Sequence, residues 1–178
     1  MKKYLIHTIL FAIFLACTST SFAQETEAKP FRYYVDYVQG PYLFLDNIAY
    51  EAVFVHGCRL GFKIKEQFDF SIEYVAGHQS DNMDDPGMTH YANGQFAYHF
   101  VPDGAAFNPY MFAGGGFFEF KEFTVDEYGF AYHIGLGTNL RITNRINGLI
   151  EARYLNTGLL DVDGQNQVAV TWGVRVAF

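Results

Sequence analysis

Hydrophobic and polar residues alternate along most of the chain with a period of two, which is the spacing of β-strands. The final segment is the clearest case. One face carries Val168, Val170, Trp172, Val174, Val176 and Phe178, while the other carries Ala169, Thr171, Gly173, Arg175 and Ala177. The alternation recurs along the chain, and no segment after residue 30 has a convincing helical period. It predicts strands at 31–39, 50–64, 68–76, 90–100, 109–119, 130–142, 147–155 and 168–178.

The connections between these strands alternate in length. Short connections are predicted at 65–67, 101–108 and 143–146, and longer ones at 40–49, 77–89, 120–129 and 156–167. Short turns at one end and longer loops at the other are typical of an outer-membrane barrel whose termini lie at the short-turn end. The pattern therefore predicts an all-β fold, an eight-stranded antiparallel transmembrane up-and-down β-barrel.

The two faces of the strands indicate what surrounds the barrel. From the second strand onward one face carries bulky apolar residues, namely Phe54, Leu60, Phe62, Phe70, Ile72, Tyr74, Phe96, Tyr98, Tyr110, Phe112, Phe130, Tyr132, Ile134, Leu136, Leu140, Ile150 and Tyr154. A soluble lipocalin-like barrel would turn this face inward, but an eight-stranded barrel has little interior volume for so many rings. Lipid is therefore expected outside and polar groups inside.

Charged residues occupy the opposite face, with six acids and six bases: Arg32, Asp36, Glu51, Arg59, Lys63, Asp69, Glu73, Glu119, Arg141, Glu151, Arg153 and Arg175. Buried charges are tolerated when they pair, so the set predicts a salt-bridged network that closes the lumen. The alternative is an ion or solute pathway, which is typical of wider barrels. His99 and His133 share this face and are expected to be hydrogen-bonded lumen residues. Six glycines are also expected there: Gly57, Gly61, Gly115, Gly135, Gly137 and Gly173.

The N-terminus has the organisation of an export signal. Lys2 and Lys3 precede an apolar run, and Ser21-Phe22-Ala23 fits a small-residue cleavage site. We expect a signal peptide at 1–23 and a barrel domain at 24–178, located in the outer membrane of a Gram-negative bacterium. The competing interpretation, lipoprotein cleavage before Cys17, has Phe14-Leu15-Ala16 in place of the usual small residues. Cys58 is then the single cysteine of the domain and is expected to be an apolar strand residue.

The formal net charge is −7, and losing Lys2 and Lys3 with the signal brings it to −9. This balance argues against a nucleic-acid partner. The four longer connections carry nine acids and one base, Lys121, and would repel lipopolysaccharide phosphates unless divalent cations bridge them. Asp81–Asp85 and Asp161–Gly164 offer oxygen ligands for Ca²⁺ but lack the spacing of a known calcium loop. No cofactor or metal is expected, and solvated loops are the default.

Four segments resemble the small outer-membrane β-barrel family of the OmpA transmembrane domain, OmpX and the opacity-type proteins: Asn108–Gly116, Tyr132–Asn139, Leu149–Tyr154 and Trp172–Phe178. The resemblance implies that Trp172, Val174, Val176 and Phe178 form the signal read by the barrel-assembly machinery. It also implies outer-membrane lipid and lipopolysaccharide as surroundings. It identifies architecture better than activity.

Glu151–Gly158 is similar to the closing region of PagL-type lipid A deacylases, which carry a His-x-Ser-Asn signature there. Aligned on Asn156, the positions of that histidine and serine hold Arg153 and Leu155, neither of which is a nucleophile or its base. We therefore expect no enzyme activity. Three functions remain: a non-enzymatic envelope or adhesion protein with acidic surface loops, a small porin-like conduit, and a deacylase relative.

Overall fold

Eight antiparallel strands form a closed barrel in the computed structural model, in agreement with the predicted fold class. The structure describes residues 32–45, 52–78, 88–101, 105–122, 125–159 and 165–178. The strands are β1 (Tyr33–Phe44), β2 (Ala52–Lys65), β3 (Phe68–His78), β4 (Met88–His99), β5 (Phe107–Glu122), β6 (Val125–Arg141), β7 (Ile146–Leu159) and β8 (Gln165–Ala177). Each strand pairs with its neighbour along the chain, and β1 pairs with β8. The predicted signal peptide lies outside the described residues.

Several strands extend further than the alternation predicted. The expected loop at 40–49 begins inside β1, which continues through Gly40 and Pro41 to Phe44. The expected loop at 120–129 is largely a hairpin, in which Glu122 of β5 pairs with Val125 of β6. Backbone ladder hydrogen bonds need no apolar side chain, so pairing continues where the hydrophobic pattern ends. We call this the loop end of the barrel, and the opposite end, with the β2–β3, β4–β5 and β6–β7 connections, the turn end.

Apolar side chains cover the outward face, as expected. The most exposed include Leu60, Ile72, Phe96, Phe117, Ile134 and Leu136, each more than half exposed. A continuous surface of this kind would be unstable in water but suits contact with hydrocarbon. Cys58 lies on the same face and carries a free thiol. The described residues contain no helix that is long and apolar enough to cross a bilayer.

The predicted inward and outward faces of β5 are wrong. Tyr110 and Phe112 were expected to face lipid, but they are 2% and 1% exposed inside the lumen. Antiparallel pairing sets this phase, because inward His99 of β4 lies opposite Tyr110. Gly114 and Gly116 consequently face inward, and Gly115, predicted inward, faces outward.

The lumen holds more aromatic rings than the volume argument allowed. Six are buried among the described residues: Tyr34, Tyr42, Tyr91, Tyr110, Phe112 and Phe118. Three of them lie over glycines of the neighbouring strand, in the pairs Tyr34–Gly61, Tyr110–Gly137 and Phe112–Gly135. A Cβ at any of these glycines would collide with the facing ring. Glycines therefore provide the space that lets large rings fill a narrow barrel.

Candidate functional site in the barrel lumen

Seven of the twelve predicted lumen charges meet inside the barrel, each 5% exposed or less. We call them the charged layer: Asp36, Arg59, Asp69, Glu73, Glu151, Arg153 and Arg175. They come from β1, β2, β3, β7 and β8. The strand register puts Arg59 directly opposite both Asp36 and Glu73, and it puts Asp36 opposite Arg175. Opposed positions on one face are close neighbours, so pairing begins between adjacent strands.

Arg59 joins the two sides of the lumen. Its Nε and Nη2 atoms donate to Glu73 Oε2 at 2.9 and 2.5 Å. Its Nη1 and Nη2 atoms donate to the two carboxylate oxygens of Glu151 on β7, both at 2.7 Å. A further contact of Nη1 with Asp36 Oδ2 measures 3.3 Å. One guanidinium thus binds three carboxylates from three strands, using the fixed fork of donors that suits such pairing.

Arg153 completes the centre of the layer. Its Nη1 donates to Glu73 Oε1 at 2.5 Å, and its Nη2 contacts Glu73 Oε2 at 3.0 Å and Glu151 Oε2 at 2.9 Å. Neutral groups bind the same acids: Tyr110 Oη donates to Glu151 Oε1 at 2.7 Å, and Asn93 Nδ2 donates to Glu73 Oε1 at 3.2 Å. Both oxygens of each glutamate are therefore bonded. The charges are fixed in place and span the lumen from β2 to β7.

A second cluster lies toward the turn end. Arg175 donates from Nε and Nη2 to the two oxygens of Asp36, both at 2.9 Å, and its guanidinium carbon lies 3.7 Å from the centre of the Tyr34 ring. Asp69 Oδ2 lies 2.9 Å from His99 Nε2, while His99 Nδ1 is 3.1 Å from Asn108 Oδ1. Since Asp36 also contacts Arg59, the two clusters form one network.

On the loop-end side of this layer, the described lumen residues are uncharged and mostly apolar, including Val38, Val53, Val55, Val75, Phe118 and Leu155. A few polar side chains between them and the layer bond to one another. Tyr91 Oη lies 2.8 Å from His133 Nδ1, and His133 Nε2 lies 3.1 Å from Gln95 Oε1. His99 and His133 are thus hydrogen-bonded lumen residues, as expected. The alternation in the sequence did not single out Asn93 or Tyr110 as partners of the charges. For Asn93 the parity shared with the inward residues of β4 was an available signal, whereas for Tyr110 the phase of β5 gave none.

Five predicted lumen charges lie elsewhere. Arg32 is exposed, Lys63 is half-buried, and Arg141 is exposed with its guanidinium bonded to Asn144. Glu119 was predicted in the lumen, but its side chain is 39% exposed at the outer rim and pairs with Lys121 at 2.5 Å. The reversed phase of β5 explains this error. Glu51 lies outside the described residues.

The other predicted sites have different outcomes. Trp172 and Phe178 are 42% and 58% exposed on the outward face, whereas Val176 is only 3% exposed. Their role as an assembly signal stays a prediction. The acidic segments Asp81–Asp85 and Asp161–Gly164 fall outside the described residues. Within the described part of the chain, no group of three potential ligands is arranged to hold a metal ion.

The two positions compared with the deacylase signature both point into the barrel. Arg153 belongs to the charged layer, and Leu155 is fully buried. Neither side chain is available to a lipid substrate at the surface, and neither can act as an activated hydroxyl or its base.

Similarity to solved structures agrees with this architecture. The chain is similar to Neisserial surface protein A, with a TM-score of 0.70 and 16% identity over 82% of this chain and 97% of that one. It also resembles the Pseudomonas aeruginosa outer membrane protein OprG, with a TM-score of 0.57, 9% identity, and coverage of 83% and 96%. For Ail, the attachment invasion locus protein of Yersinia pestis, the TM-score is 0.51 and the identity 12%, with 83% and 97% covered.

The fold is that of the small outer-membrane β-barrels. No protein-family model and no curated protein matches the sequence. At identities this low the likeness concerns the fold alone. The outward apolar face independently places a barrel of this kind in an outer membrane.

Proposed function

We propose that the protein is a non-enzymatic, integral outer-membrane protein whose closed barrel holds acidic loops at the cell surface. There the loops contribute to envelope integrity or adhesion. The observation that carries the proposal is the contact of Arg59 with Glu73 on one side of the lumen and Glu151 on the other. A barrel closed in this way is a support for its loops and not a pathway through the membrane.

The energetics of the charged layer support closure. Opening a path would separate guanidinium and carboxylate groups that are 2% exposed or less. Uncompensated buried charges cost several kcal/mol each, on the order of 3–5 kcal/mol when one partner is removed. A passing ion would have to replace several such contacts at once, because Glu73 and Glu151 each bind both Arg59 and Arg153.

Single-channel recording in planar bilayers tests closure. We expect the refolded wild-type barrel to insert without producing stable openings. Heat-modifiable migration on gels, measured on the same sample, controls for folding. Stable, reproducible conductance steps from the folded barrel would contradict the proposal and favour the porin-like conduit.

A surface role is supported by the charge of the outer segments, in which nine acids accompany one base. Ail, one of the structural relatives, is an attachment invasion locus protein, which is in keeping with such a role. Cells that lack the gene should show altered envelope permeability or adhesion. A variant with Asp81, Asp84 and Asp85 changed to Asn should insert normally without restoring the phenotype. Full restoration of the phenotype by this variant would count against the proposal that the acidic loops carry the surface role.

The absence of enzyme activity is part of the proposal and has its own test. Mass spectrometry of lipid A from cells with and without the gene should give identical acylation, because Arg153 and Leu155 are unsuited to acyl transfer. Loss of one acyl chain only in cells that carry the gene would overturn it.

We also expect the barrel-assembly machinery to recognise Trp172, Val174, Val176 and Phe178. Replacing Phe178 with a polar residue should then slow assembly in cells.

A further inference from the structure

A groove of about 390 Å³ lies on the outward surface of β3 to β6, near the loop end. This volume is within the range of about 300–1,000 Å³ that small-molecule sites occupy. We call it the aromatic groove and define it by its lining residues: Tyr74, His90, Ala92, Phe117, Phe118, Glu119, Tyr128 and Gly129. It is separate from the charged layer, which lies on the inner face of the wall.

The apolar part of the groove is a furrow between two rings. The register puts Tyr74, Ala92 and Phe117 side by side on β3, β4 and β5. Ala92 carries only a methyl group, while the flanking rings of Tyr74 and Phe117 are 52% and 75% exposed. A slot bounded by rings and floored by a methyl group, opening toward hydrocarbon, suits an acyl chain.

Polar groups occupy the next position toward the loop end. There His90, Glu119 and Tyr128 lie side by side on β4, β5 and β6. Tyr74 Oη lies 2.7 Å from His90 Nδ1, and the two rings stack with centroids 6.0 Å apart. Since the tyrosine occupies Nδ1, the Nε2 atom is the one that His90 offers to a ligand. The groove therefore changes from apolar to hydrogen-bonding along its length, as an amphiphile does.

The aromatic groove also lies beside a cation at the otherwise acidic loop end. Lys121 is the single Lys or Arg in the segments 40–49, 77–89, 120–129 and 156–167, which carry nine acids. It lies beside the groove, where its Nζ contacts Glu119 Oε1 at 2.5 Å. An anionic headgroup that approaches this acidic rim meets a cation here, next to a carboxylate that accepts hydrogen bonds.

We propose that the aromatic groove binds one outer-leaflet glycolipid of the lipopolysaccharide class. An acyl chain lies on Ala92 between the rings of Tyr74 and Phe117. A phosphate accepts hydrogen bonds from Lys121 and His90, and a sugar hydroxyl donates to Glu119. A headgroup with both phosphates and hydroxyls matches this mixed set of donors and acceptor. The inference rests on the outer-membrane location in the proposed function, but not on closure of the lumen.

Native mass spectrometry of the full chain, extracted from its own outer membrane in mild detergent, tests the proposal. We expect the wild-type barrel to retain one glycolipid. Ala92→Phe fills the furrow and should lower the retained fraction by about tenfold, equivalent to about 1.4 kcal/mol. Ala152→Phe is the matched control, because Ala152 is an exposed outward alanine on β7, away from the groove. It should retain glycolipid as the wild type does.

A second variant tests the proposed headgroup contact separately from the packing of the acyl chain. Lys121→Gln leaves the furrow intact and should weaken glycolipid retention, with release at lower detergent or salt concentrations. Heat-modifiable migration of every variant shows whether the barrel has folded. A wild-type barrel that carries no lipid or only phospholipid, or an Ala92→Phe variant that retains glycolipid fully, would overturn the assignment. Failure of the proposed closure would appear instead as conductance and would leave these masses unchanged.

Discussion

Glu73 and Tyr74 are neighbours in the sequence, yet they lie in opposite environments. Glu73 faces the lumen, is fully buried, and binds Arg59 and Arg153. Tyr74 faces outward, is 52% exposed, and bonds to His90 at the outer surface. The difference shows that the two faces of one strand have different surroundings, the packed lumen on one side and lipid on the other. Inside the barrel, charged and polar side chains bind one another, whereas outside it the exposed apolar side chains contact lipid.

Removing a carboxylate from the charged layer should destabilise the barrel more than any other single change considered below. Glu73→Ala leaves two buried guanidiniums short of a shared partner and should lower the free energy of unfolding by about 3–5 kcal/mol. Urea titration of the barrel in lipid vesicles measures it. The control is Glu119→Ala, which removes a glutamate from an exposed rim pair and should cost less than about 1 kcal/mol. Equal losses for the two variants would mean that the charged layer is not a buried network.

A charge placed on the outer side tests the lipid contact. Ile134 is 52% exposed on β6, and Ile134→Arg should cost about 2–4 kcal/mol if the site lies near the bilayer midplane. Tyr128, 71% exposed on the same strand near the loop end, is the control, and Tyr128→Arg should cost about 0–1 kcal/mol. The same titration in vesicles compares them. Tolerance of arginine at both positions would argue against lipid contact at Ile134.

Two glycines, one inward and one outward, should differ in how well they tolerate a side chain. A Cβ on inward Gly116 would overlap the carbonyl oxygen of Ala92 and lie 2.5 Å from Asn93 Cα, whereas on outward Gly94 it would approach only the Phe70 ring, at 3.4 Å. Gly116→Ala should therefore destabilise the barrel by about 1–3 kcal/mol through overpacking, and Gly94→Ala should be nearly neutral. A reversed order would contradict the phase assigned to β5.

The sequence predicted the strand number, the topology and most faces, because alternation is unambiguous where one face is charged. The prediction failed for β5 because this strand is apolar on both faces, with Met111, Ala113 and Phe117 on one and Tyr110 and Phe112 on the other. Periodicity cannot choose between two apolar faces, and the choice is made by pairing with β4, whose inward residues include Asn93, Gln95 and His99. Pairing across strands is a property of the closed barrel and is not visible in one strand's pattern.

The site was predicted in part for a related reason. Charges on strands with a clear phase, such as Arg59 and Glu151, were placed inward, and the structure brings them together. Which charges bond across the lumen depends on register and barrel closure, so the contact between β2 and β7 was not predictable. Near the strand ends, Arg32 and Arg141 keep the inward phase yet remain exposed, because the lumen opens to solvent there. The aromatic groove requires four strands in register and left no signal in any one of them.

Labelling of Cys58 tests the orientation of the two faces most directly. It is the single cysteine outside the predicted signal peptide, and it lies exposed on the outward face in the middle of β2. In barrels inserted in sealed vesicles, a membrane-impermeant maleimide should leave Cys58 unmodified, because the reaction needs a thiolate in contact with water, while unfolding in denaturant should make the same thiol reactive. Rapid modification of the inserted barrel by the impermeant reagent would contradict a lipid-facing apolar surface.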